Sequence, residues 1–499
     1  MEYAEHLGFW SILPILLAIA CAVVTRKVIL ALFLGVYVGV LTLERGNPIA
    51  ATTSMIRDYL VVQLTDSYNA GVLVLLAFIG GFVALMERSG GAAAFARKAS
   101  HLVSNGVRMQ LAAWFGGVVI FFSDLGTPLI VGPIFEPLAD RWKVSREKLA
   151  WILDSTASPV AVLVPITGWA VYIMGLIQKE YEALGVSESD WTAFVEAIPF
   201  NFYSIVTVVL VPVVALAKID LGAMRRAEER TREGELYWPH SKPLRPPADV
   251  TDTEGSAALV WVPLLVLFVT FFGLLAPHGF PLEQVSGSVF RTALTAGYFF
   301  GGVSLLVLMS RTRSQSFFDS DAFDLYTEGI QKMMTVAAIL ILAWSLGAVG
   351  RELGTARYII EIGQAGVPPV LVPALVFVVG AVMSFATGSS WGSFAILLPL
   401  VIPLAHSLDL ALPLSIGAVL AGGLFGDHAS PISDTTILSS TGAGADHIDH
   451  VKTQLPYALI AAAASVVSYV VAGATESPWS LVLATVLAVT CVAWLGRRK

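Results

Sequence analysis

Charged residues are scarce in this chain. Only 13% of its 499 residues are Asp, Glu, Lys or Arg, whereas a soluble domain carries about a quarter. Hydrophobic residues make up 56% of the chain, and the mean hydropathy is +0.75. Apolar runs close to the roughly 20 residues that a bilayer requires recur along the whole length. The composition therefore excludes a soluble globular protein and indicates a polytopic membrane protein.

Cysteine is almost absent, and several functional signatures are missing. Cys21 and Cys491 both lie inside apolar runs, so no disulfide framework is indicated. There is no HExxH-type zinc pair and no nucleophile–base set, which argues against an intramembrane hydrolase. There is also no Walker motif, so transport would have to run on gradients and not on ATP. We therefore expect a transporter and not an enzyme.

Basic residues are also missing from residues 1–5, so the first apolar run is expected to be a retained span and not a cleaved signal. The predicted fold is an all-α polytopic membrane protein with about eleven full crossings. Two further apolar segments contain Gly, Ser, Thr and Pro breaks and are predicted to be re-entrant helical hairpins, at 108–140 and 370–408. The predicted spans are 9–25, 28–43, 69–87, 149–178, 194–217, 257–276, 291–310, 330–349, 411–425, 454–473 and 479–495.

Lysine and arginine are concentrated in alternate loops, and this bias predicts the orientation of the chain. With those loops in the cytoplasm, the N-terminus lies outside and the C-terminus inside, in the inner (plasma) membrane. Loop 350–369 fits less well, because it places Arg351 and Arg357 outside. The basic residues in the loops assigned to the cytoplasm are Arg26, Lys27, Arg88, Arg97, Lys98, Arg108, Arg141, Lys143, Arg146, Lys148, Arg225, Arg226, Arg230, Arg232, Lys242, Arg245, Arg497, Arg498 and Lys499.

Two halves of the chain resemble each other. Residues 115–122 align with residues 378–385, and each segment precedes a polar stretch interrupted by proline. With the predicted orientation this indicates inverted repeats, which suit alternating access and which an ion channel would not need. The central linker is expected to be a solvated tether that begins as a short amphipathic helix. The predicted divisions are a first repeat over 1–217, a cytoplasmic linker over 218–256, a second repeat over 257–476, and an extra span with a basic tail over 477–499.

Carboxylates and hydroxyls cluster where proline and glycine interrupt the apolar helices. An ionised carboxylate at membrane depth is costly unless it is paired or ligated, so it is a functional hypothesis by default. The simpler alternative is that each aspartate caps a half-helix. The candidates for ion or substrate binding are Asp124 and Thr127 in the first hairpin, Asp154, Ser155 and Ser158 in the first broken helix, Thr387, Ser389 and Ser390 at the tip of the second hairpin, and Asp427, His428, Ser430, Ser433, Asp434 and Thr435 in the second broken helix.

These candidates suggest a division of roles. Sodium is assigned to Asp427, Ser430 and Asp434, because carboxylate, hydroxyl and freed carbonyl oxygens suit a hard cation. Asp154 is the predicted proton-exchanging acid, since its neighbours are mostly apolar and burial disfavours the charged carboxylate. Residues 446–450, Asp-His-Ile-Asp-His, have a metal-like composition without fixed ligand spacing and are expected to form a solvated cytoplasmic turn.

Three stretches resemble signatures of the NhaC family of Na+/H+ antiporters. They are residues 426–440 (GDHASPISDTTILSS), 145–159 (SREKLAWILDSTASP) and 385–392 (FATGSSWG). The resemblance spans both halves of the chain. It implies a sodium-linked secondary carrier with two elevator-style hairpin domains, Na+ as the coupling or transported ion, and no other cofactor. Among the activities it implies, we favour Na+/H+ antiport by alternating access.

The chain departs from the family pattern in the first hairpin. Many relatives have a second carboxylate and an asparagine there, where this chain has SDLGTP over residues 123–128. A Na+-coupled symporter of a small organic solute, such as an amino acid or a carboxylate, is therefore the alternative. The expected partners are the lipid bilayer, Na+ and H+, and nucleic acid is not expected. An organic solute as a further partner and a homodimeric assembly both stay open.

Overall fold

The computed structural model describes residues 6–91, 94, 98, 103–241, 256–280, 285–312, 320–355, 357–358, 361 and 368–497. Over these residues the secondary structure is helical and contains no strands, which confirms the predicted all-α class. Residues 242–255 of the linker, most of the 359–367 segment, and the basic residues Arg97, Lys242, Arg245, Arg498 and Lys499 lie outside the described part.

The described helices of the first half and the linker are α1 (Leu13–Thr25), α2 (Val28–Leu43), α3 (Pro48–Thr65), α4 (Ser67–Arg88), α5 (Gly106–Val119), α6 (Gly126–Arg141), α7 (Arg146–Ser155), α8 (Ser158–Ala161), α9 (Gly168–Leu184), α10 (Asp190–Ala197), α11 (Phe202–Ala217) and α12 (Gly222–Glu233). Those of the second half are α13 (Ala258–Leu275), α14 (Gly287–Thr312), α15 (Ser320–Glu352), α16 (Val372–Thr387), α17 (Ser390–Ser407), α18 (Leu412–Ala429), α19 (Asp434–Ala443), α20 (His447–Thr475) and α21 (Ser480–Arg497).

Within the described residues, eight helices are long and apolar enough to cross a membrane, and ten if each of two bent pairs is one span. The bends are 118° between α2 and α3 and 51° between α10 and α11. These numbers are smaller than the expected eleven crossings plus hairpins, because breaks divide several apolar segments into shorter helices. The sequence analysis also did not predict α3, whose first turn is capped by the Asn47 side chain and begins with Pro48.

Both helix breaks fall at the prolines identified in the sequence. The expected single span over 149–178 is wrong, because α7 ends at Ser155 and the chain becomes regularly helical again only in α9. The hydroxyl of Thr156 bonds back to the carbonyl of Ile152 at 2.9 Å, and Pro159 has no N–H to continue the helix. In the second half, Pro431 lies in the break between α18 and α19. Each break frees backbone groups inside an apolar helix bundle.

Each broken helix follows a pair of helices joined by a short turn. In the first half the pair is α5 and α6, and in the second it is α16 and α17. The second turn needs Gly388, which has φ of +70° and whose hypothetical Cβ would lie 2.7 Å from the Ile432 carbonyl oxygen. A Cβ on Gly132 of α6 would lie 2.4 Å from the Gly442 backbone of α19. The hairpins therefore pack directly on the broken helices.

The first part of the linker is docked on the protein and is not the solvated tether expected from its charges. Arg230 of α12 donates two hydrogen bonds to the carboxylate of Glu147, at 2.8 and 2.9 Å, and both side chains are buried. Lys148 pairs with Asp220 at 2.6 Å. Burial raises the pKa of Glu228, and the nearby Lys148 opposes that rise. The expectation failed because the buried linker charges Asp220, Glu228 and Arg230 each have an opposite charge or a backbone donor at the start of α7.

Candidate functional site

A side chain from a third helix joins the two broken helices. The amide nitrogen of Gln454, on α20, donates to Asp154 Oδ2 at 2.8 Å and also to the backbone carbonyl of His428. Asp154 is fully buried near the end of α7, and His428 is buried near the end of α18. Sequence reasoning missed Gln454, although a buried amide in a 29-residue, mostly apolar helix was a signal.

Hydroxyls from the second break hold Asp427 in place. Ser433 donates to Asp427 Oδ1 at 3.2 Å. The hydroxyls of Thr435 and Thr436, in the first turn of α19, each donate to the backbone carbonyl of Asp427 at 3.3 Å. The proline break allows α19 to turn back toward the end of α18. Thr435 and Thr436, which are eight and nine positions after Asp427, can therefore hydrogen-bond to its carbonyl. The other carboxylate oxygen of Asp427, Oδ2, remains available to bind a ligand.

Four buried oxygens at this place have no hydrogen-bond partner among the described residues. They are Asp154 Oδ1, Ser158 Oγ, Asp427 Oδ2 and Ser439 Oγ. The Ser158 hydroxyl interacts with the Asp427 carboxyl, and the Ser439 hydroxyl with that of Asp154. Buried polar atoms in proteins nearly always have a partner. An oxygen cluster of this kind is suited to bind protons or a hard cation.

The ring of His428 connects three helices. Its Nδ1 is 2.7 Å from the hydroxyl of Tyr203 on α11, and its Nε2 is 3.1 Å from the hydroxyl of Ser155 on α7. Both ring nitrogens are therefore bonded, and all three side chains are buried. A hydroxyl can donate or accept, so either neutral tautomer of the imidazole fits this arrangement. The structure thus brings Ser155 and His428 together, two of the residues predicted from the sequence.

Several other predicted residues bond to backbone carbonyls. Ser430 donates to the carbonyl of Phe385 at 2.8 Å and so ties the second break to α16. Thr387 donates to its own helix at Met383, at 2.9 Å. Thr127 donates to the carbonyl of Ser123 at 2.8 Å, within the first hairpin. These hydroxyls keep an oxygen lone pair for a ligand while they stabilise the helix ends.

The predicted aspartates differ in burial. Asp434 is exposed at the first residue of α19, and Asp124 is half-buried in the first hairpin. The two carboxyls interact electrostatically with each other, and both also act on Asp427. Ser390 is buried at the start of α17, and its hydroxyl has no hydrogen-bond partner in the described structure. Ser389, just before it, is half-buried.

The expectation of a solvated turn over residues 446–450 is wrong. This segment begins α20, and the Asp446 side chain caps the helix by accepting from the Asp449 N–H at 2.9 Å. His450 is fully buried, and Asp449 accepts a hydrogen bond from Ser241 of the linker at 2.6 Å. The sequence suggested a turn because four of five residues are ionisable. The start of α20 instead packs against α19 and α7, where these side chains find partners.

Most of the residues that form this site lie in a part of the sequence that matches a known family. A sequence profile described as the Na+/H+ antiporter family matches residues 160–474. The chain belongs to the Na+/H+ antiporter family. The match includes the second hairpin, the second broken helix and Gln454, and it begins just after Asp154. The family assignment made from the three sequence motifs is thereby confirmed.

Known proteins with similar sequences match either nearly the whole chain or about a third of it. An uncharacterized protein of Haemophilus influenzae is 33% identical over 98% of this chain and 96% of its own length. An uncharacterized Na+/H+ antiporter of the same organism is 35% identical, over 30% of this chain and 32% of its own. The malate-2H+/Na+-lactate antiporter of Bacillus subtilis is 30% identical, over 29% of this chain and 31% of its own.

One solved structure is similar over most of the fold. The YdaH transporter of Alcanivorax borkumensis, whose crystal structure has an unusual topology, aligns with a TM-score of 0.55 and 18% identity. The alignment covers 86% of this chain and 90% of that one. Family membership and the apolar helices indicate that the protein is a multi-pass membrane transporter. Its family places it among secondary transporters with ion substrates.

Proposed function

We propose that this protein is a Na+/H+ antiporter that works by alternating access. The observation that carries the proposal is the group of partnerless oxygens of Asp154, Ser158, Asp427 and Ser439, buried where the two broken helices meet. Membership in the antiporter family supports it independently. A buried carboxylate needs a proton, a cation or a donor, and each of these two keeps one oxygen without a hydrogen bond among the described residues, so both are suited to exchange.

Sodium binds at the second break in this proposal. Asp427 supplies a carboxylate oxygen, Ser430 supplies a hydroxyl whose proton is already directed to Phe385, and Ser158 approaches from the first break. Asp434 and Asp124 lie nearer to solvent and contribute negative charge along the entry route. All of these are hard oxygen groups, which is the chemistry that a cation such as Na+ requires.

Asp154 carries the proton. Its carboxyl receives one hydrogen bond at 2.8 Å, from Gln454, and is otherwise surrounded by the hydroxyls of α19. A cation at Asp427 favours the ionised form of Asp154 by electrostatic attraction, whereas a proton on Asp154 removes the negative charge that helps to hold the cation. Such mutual exclusion is sufficient for antiport, because each conformational change then carries one ion or the other.

The architecture of the exchange follows from the order of elements. Residues 1–217 and 257–476 are proposed to be inverted repeats, joined by the linker over 218–256 and followed by an extra span over 477–499 with a cytoplasmic C-terminus. In support, each half contains a helical hairpin followed by a broken helix, in the same order. Exchanging the conformations of two such halves would alternate the access of the central site between the two sides.

Purified protein in sodium-loaded proteoliposomes tests the proposal. Imposing an outward sodium gradient should drive internal acidification that a pH-sensitive dye reports, and Asp427→Asn should abolish it. Asp409→Asn is the matched control, since Asp409 is exposed in the turn between α17 and α18 and should keep wild-type exchange. Wild-type vesicles that show sodium flux without any proton movement would refute antiport.

The pH dependence of sodium binding tests the role of Asp154. Apparent sodium affinity should rise with pH in the wild type, because proton and cation compete, and should become independent of pH in Asp154→Asn. A variant with unchanged pH dependence would show that another group carries the proton.

A second candidate is symport of Na+ with a small organic anion or zwitterion. It is favoured by the buried hydroxyl of Ser390 at the N-terminus of α17, which has no hydrogen-bond partner in the described part of the chain, since helix N-termini attract anionic groups. Thr387 and Ser389 lie beside it at the hairpin tip. Thermal stabilisation of the purified protein by amino acids or carboxylates in the presence of Na+, together with sodium-driven solute uptake, would favour symport over antiport.

A further inference from the structure

A single hydroxyl lies between two histidines at the start of α20. Ser440 Oγ is 2.8 Å from His450 Nδ1 and 3.0 Å from His447 Nδ1. The same oxygen is 2.8 Å from the carbonyl of Thr436, one turn earlier in α19. Three potential acceptors therefore surround one hydroxyl, which has only one proton to donate.

The other nitrogen of each imidazole must carry a hydrogen. His447 Nε2 is 2.7 Å from the carbonyl oxygen of Pro431, which can only accept. His450 Nε2 is 2.8 Å from Gln454 Oε1. The orientation of that amide is determined by its nitrogen, which donates to Asp154 Oδ2 and to the carbonyl of His428. The amide oxygen must then face His450, and it too can only accept.

Ser440, His447 and His450 together have too few hydrogens to satisfy all of their acceptors. In the neutral state both imidazoles carry their hydrogen on Nε2, so both Nδ1 lone pairs and the Thr436 carbonyl compete for the Ser440 hydroxyl hydrogen. An added proton on either Nδ1 removes the conflict, because that N–H donates to Ser440 Oγ and the hydroxyl then donates to the other ring. The arrangement is suited to hold one proton shared by two histidines.

We propose that His447, Ser440 and His450 form a proton relay between solvent and Asp154. His447 is half-buried at the start of α20, whereas His450 is fully buried and its Nε2 lies 4.0 Å from Asp154 Oδ2. The relay rests on the antiport proposed above, for which it supplies a route that passes beside the sodium-binding residues and does not use them.

In the relay, a proton from solvent first adds to His447 Nδ1. It passes to Ser440 Oγ while the Ser440 hydroxyl proton passes to His450 Nδ1, so that His450 becomes an imidazolium. The His450 ring then turns its Nε2–H from Gln454 Oε1 toward Asp154 and closes the 4.0 Å between Nε2 and Oδ2, so that the Nε2–H bond breaks and an O–H bond forms on Asp154. One proton has entered, Asp154 is neutral, and His450 is neutral with its hydrogen on Nδ1.

The ionisable groups that face His450 are Asp154 on α7, His428 on α18 and His447 on its own helix. The facing part of α19 contributes the hydroxyl of Ser440 and the backbone of Thr436. Asp154 is the one carboxylate among these groups in the described part of the chain, so it alone of them has a negative charge to neutralise. A proton on His450 is therefore directed toward Asp154.

Two exchange assays on the full-length protein in proteoliposomes test the relay. Sodium–proton exchange needs proton delivery, whereas exchange of radioactive Na+ for unlabelled Na+ does not. We expect His450→Gln, His447→Gln and Ser440→Ala to reduce sodium–proton exchange by about 100-fold, in the range of general acid–base contributions, and to leave sodium self-exchange close to the wild-type rate. Ser440→Thr, which keeps the hydroxyl, should retain sodium–proton exchange.

His406→Gln is the matched control, because His406 is exposed in the last turn of α17, where it lines a cavity with Glu180 and Arg351, and should leave both exchanges unchanged. Wild-type rates of sodium–proton exchange in the His450 and His447 variants would overturn the relay and leave the antiporter assignment intact. Loss of both exchanges together would assign these residues a purely structural role and also overturn it. No sodium–proton exchange in the wild type would instead overturn the antiport proposal and the relay with it.

Discussion

Gln454→Met is the substitution that examines the junction of the two broken helices most directly. Methionine has nearly the volume of glutamine but cannot form the hydrogen bonds of its amide, so the packing of α20 is preserved while three contacts are lost. The amide nitrogen loses its contacts to Asp154 Oδ2 and to the carbonyl of His428, and the amide oxygen loses the hydrogen bond that it accepts from His450 Nε2 at 2.8 Å. Because Asp154 Oδ1 has no hydrogen-bond partner among the described residues, only the nearby hydroxyls of α19 would remain to stabilise the charge of its carboxylate.

The magnitude follows from the type of bond that is lost. A hydrogen bond to a charged group contributes about 1.5–3 kcal/mol. Since 1.4 kcal/mol corresponds to a factor of ten, ionised Asp154 should become about 10- to 150-fold less populated relative to its protonated form. Sodium must displace that proton in the proposed antiport, so apparent sodium affinity at constant pH should fall by a similar factor.

Sodium affinity can be measured as the sodium concentration that gives half of the maximal thermal stabilisation of the purified protein. The matched control is Gln110→Met. Gln110 is also a buried glutamine, but its amide bonds only to the carbonyl of Gly106 in its own helix, at 3.2 Å. We expect the control to keep wild-type sodium affinity. If Gln454→Met keeps it as well, Gln454 does not stabilise the ionised carboxylate, and our account of the junction is wrong.

Two predictions concern stability. Gly132→Ala should lower the unfolding temperature in detergent, because its Cβ would lie 2.4 Å from the backbone of α19 and overpacking costs about 1–3 kcal/mol. Gly116→Ala, where the nearest atom is 3.6 Å away, should be neutral or stabilising, and equal stability of the two variants would contradict the close contact. Arg230→Met should lower stability by about 3–5 kcal/mol, because it leaves the Glu147 charge buried without its partner. Lys27→Met, at an exposed lysine between α1 and α2, should change the unfolding temperature little, and a similar loss in both variants would argue against docking of the linker.

The sequence by itself determined the class of the protein and the places where its helices break. Scarce charge and recurrent apolar runs require a bilayer, because neither a soluble core nor a soluble surface could accommodate them. Pro159 and Pro431 lack the N–H that a continuous helix needs, so each break could be located to within a few residues. The hydroxyls and carboxylates around those prolines marked Asp154 and Asp427 for the same local reason.

Only the tertiary structure decided which side chains meet. Gln454 bonds to Asp154 across 300 positions of the chain, and Arg230 pairs with Glu147 across 83. Hydropathy and proline positions carry no information about contacts at such separations, since these depend on which face each helix presents to its neighbours. The same reason explains the wrong expectation for residues 446–450. Their charges predict exposure as an isolated segment, but packing of α20 between α19 and α7 buries His450 and connects it to Asp154.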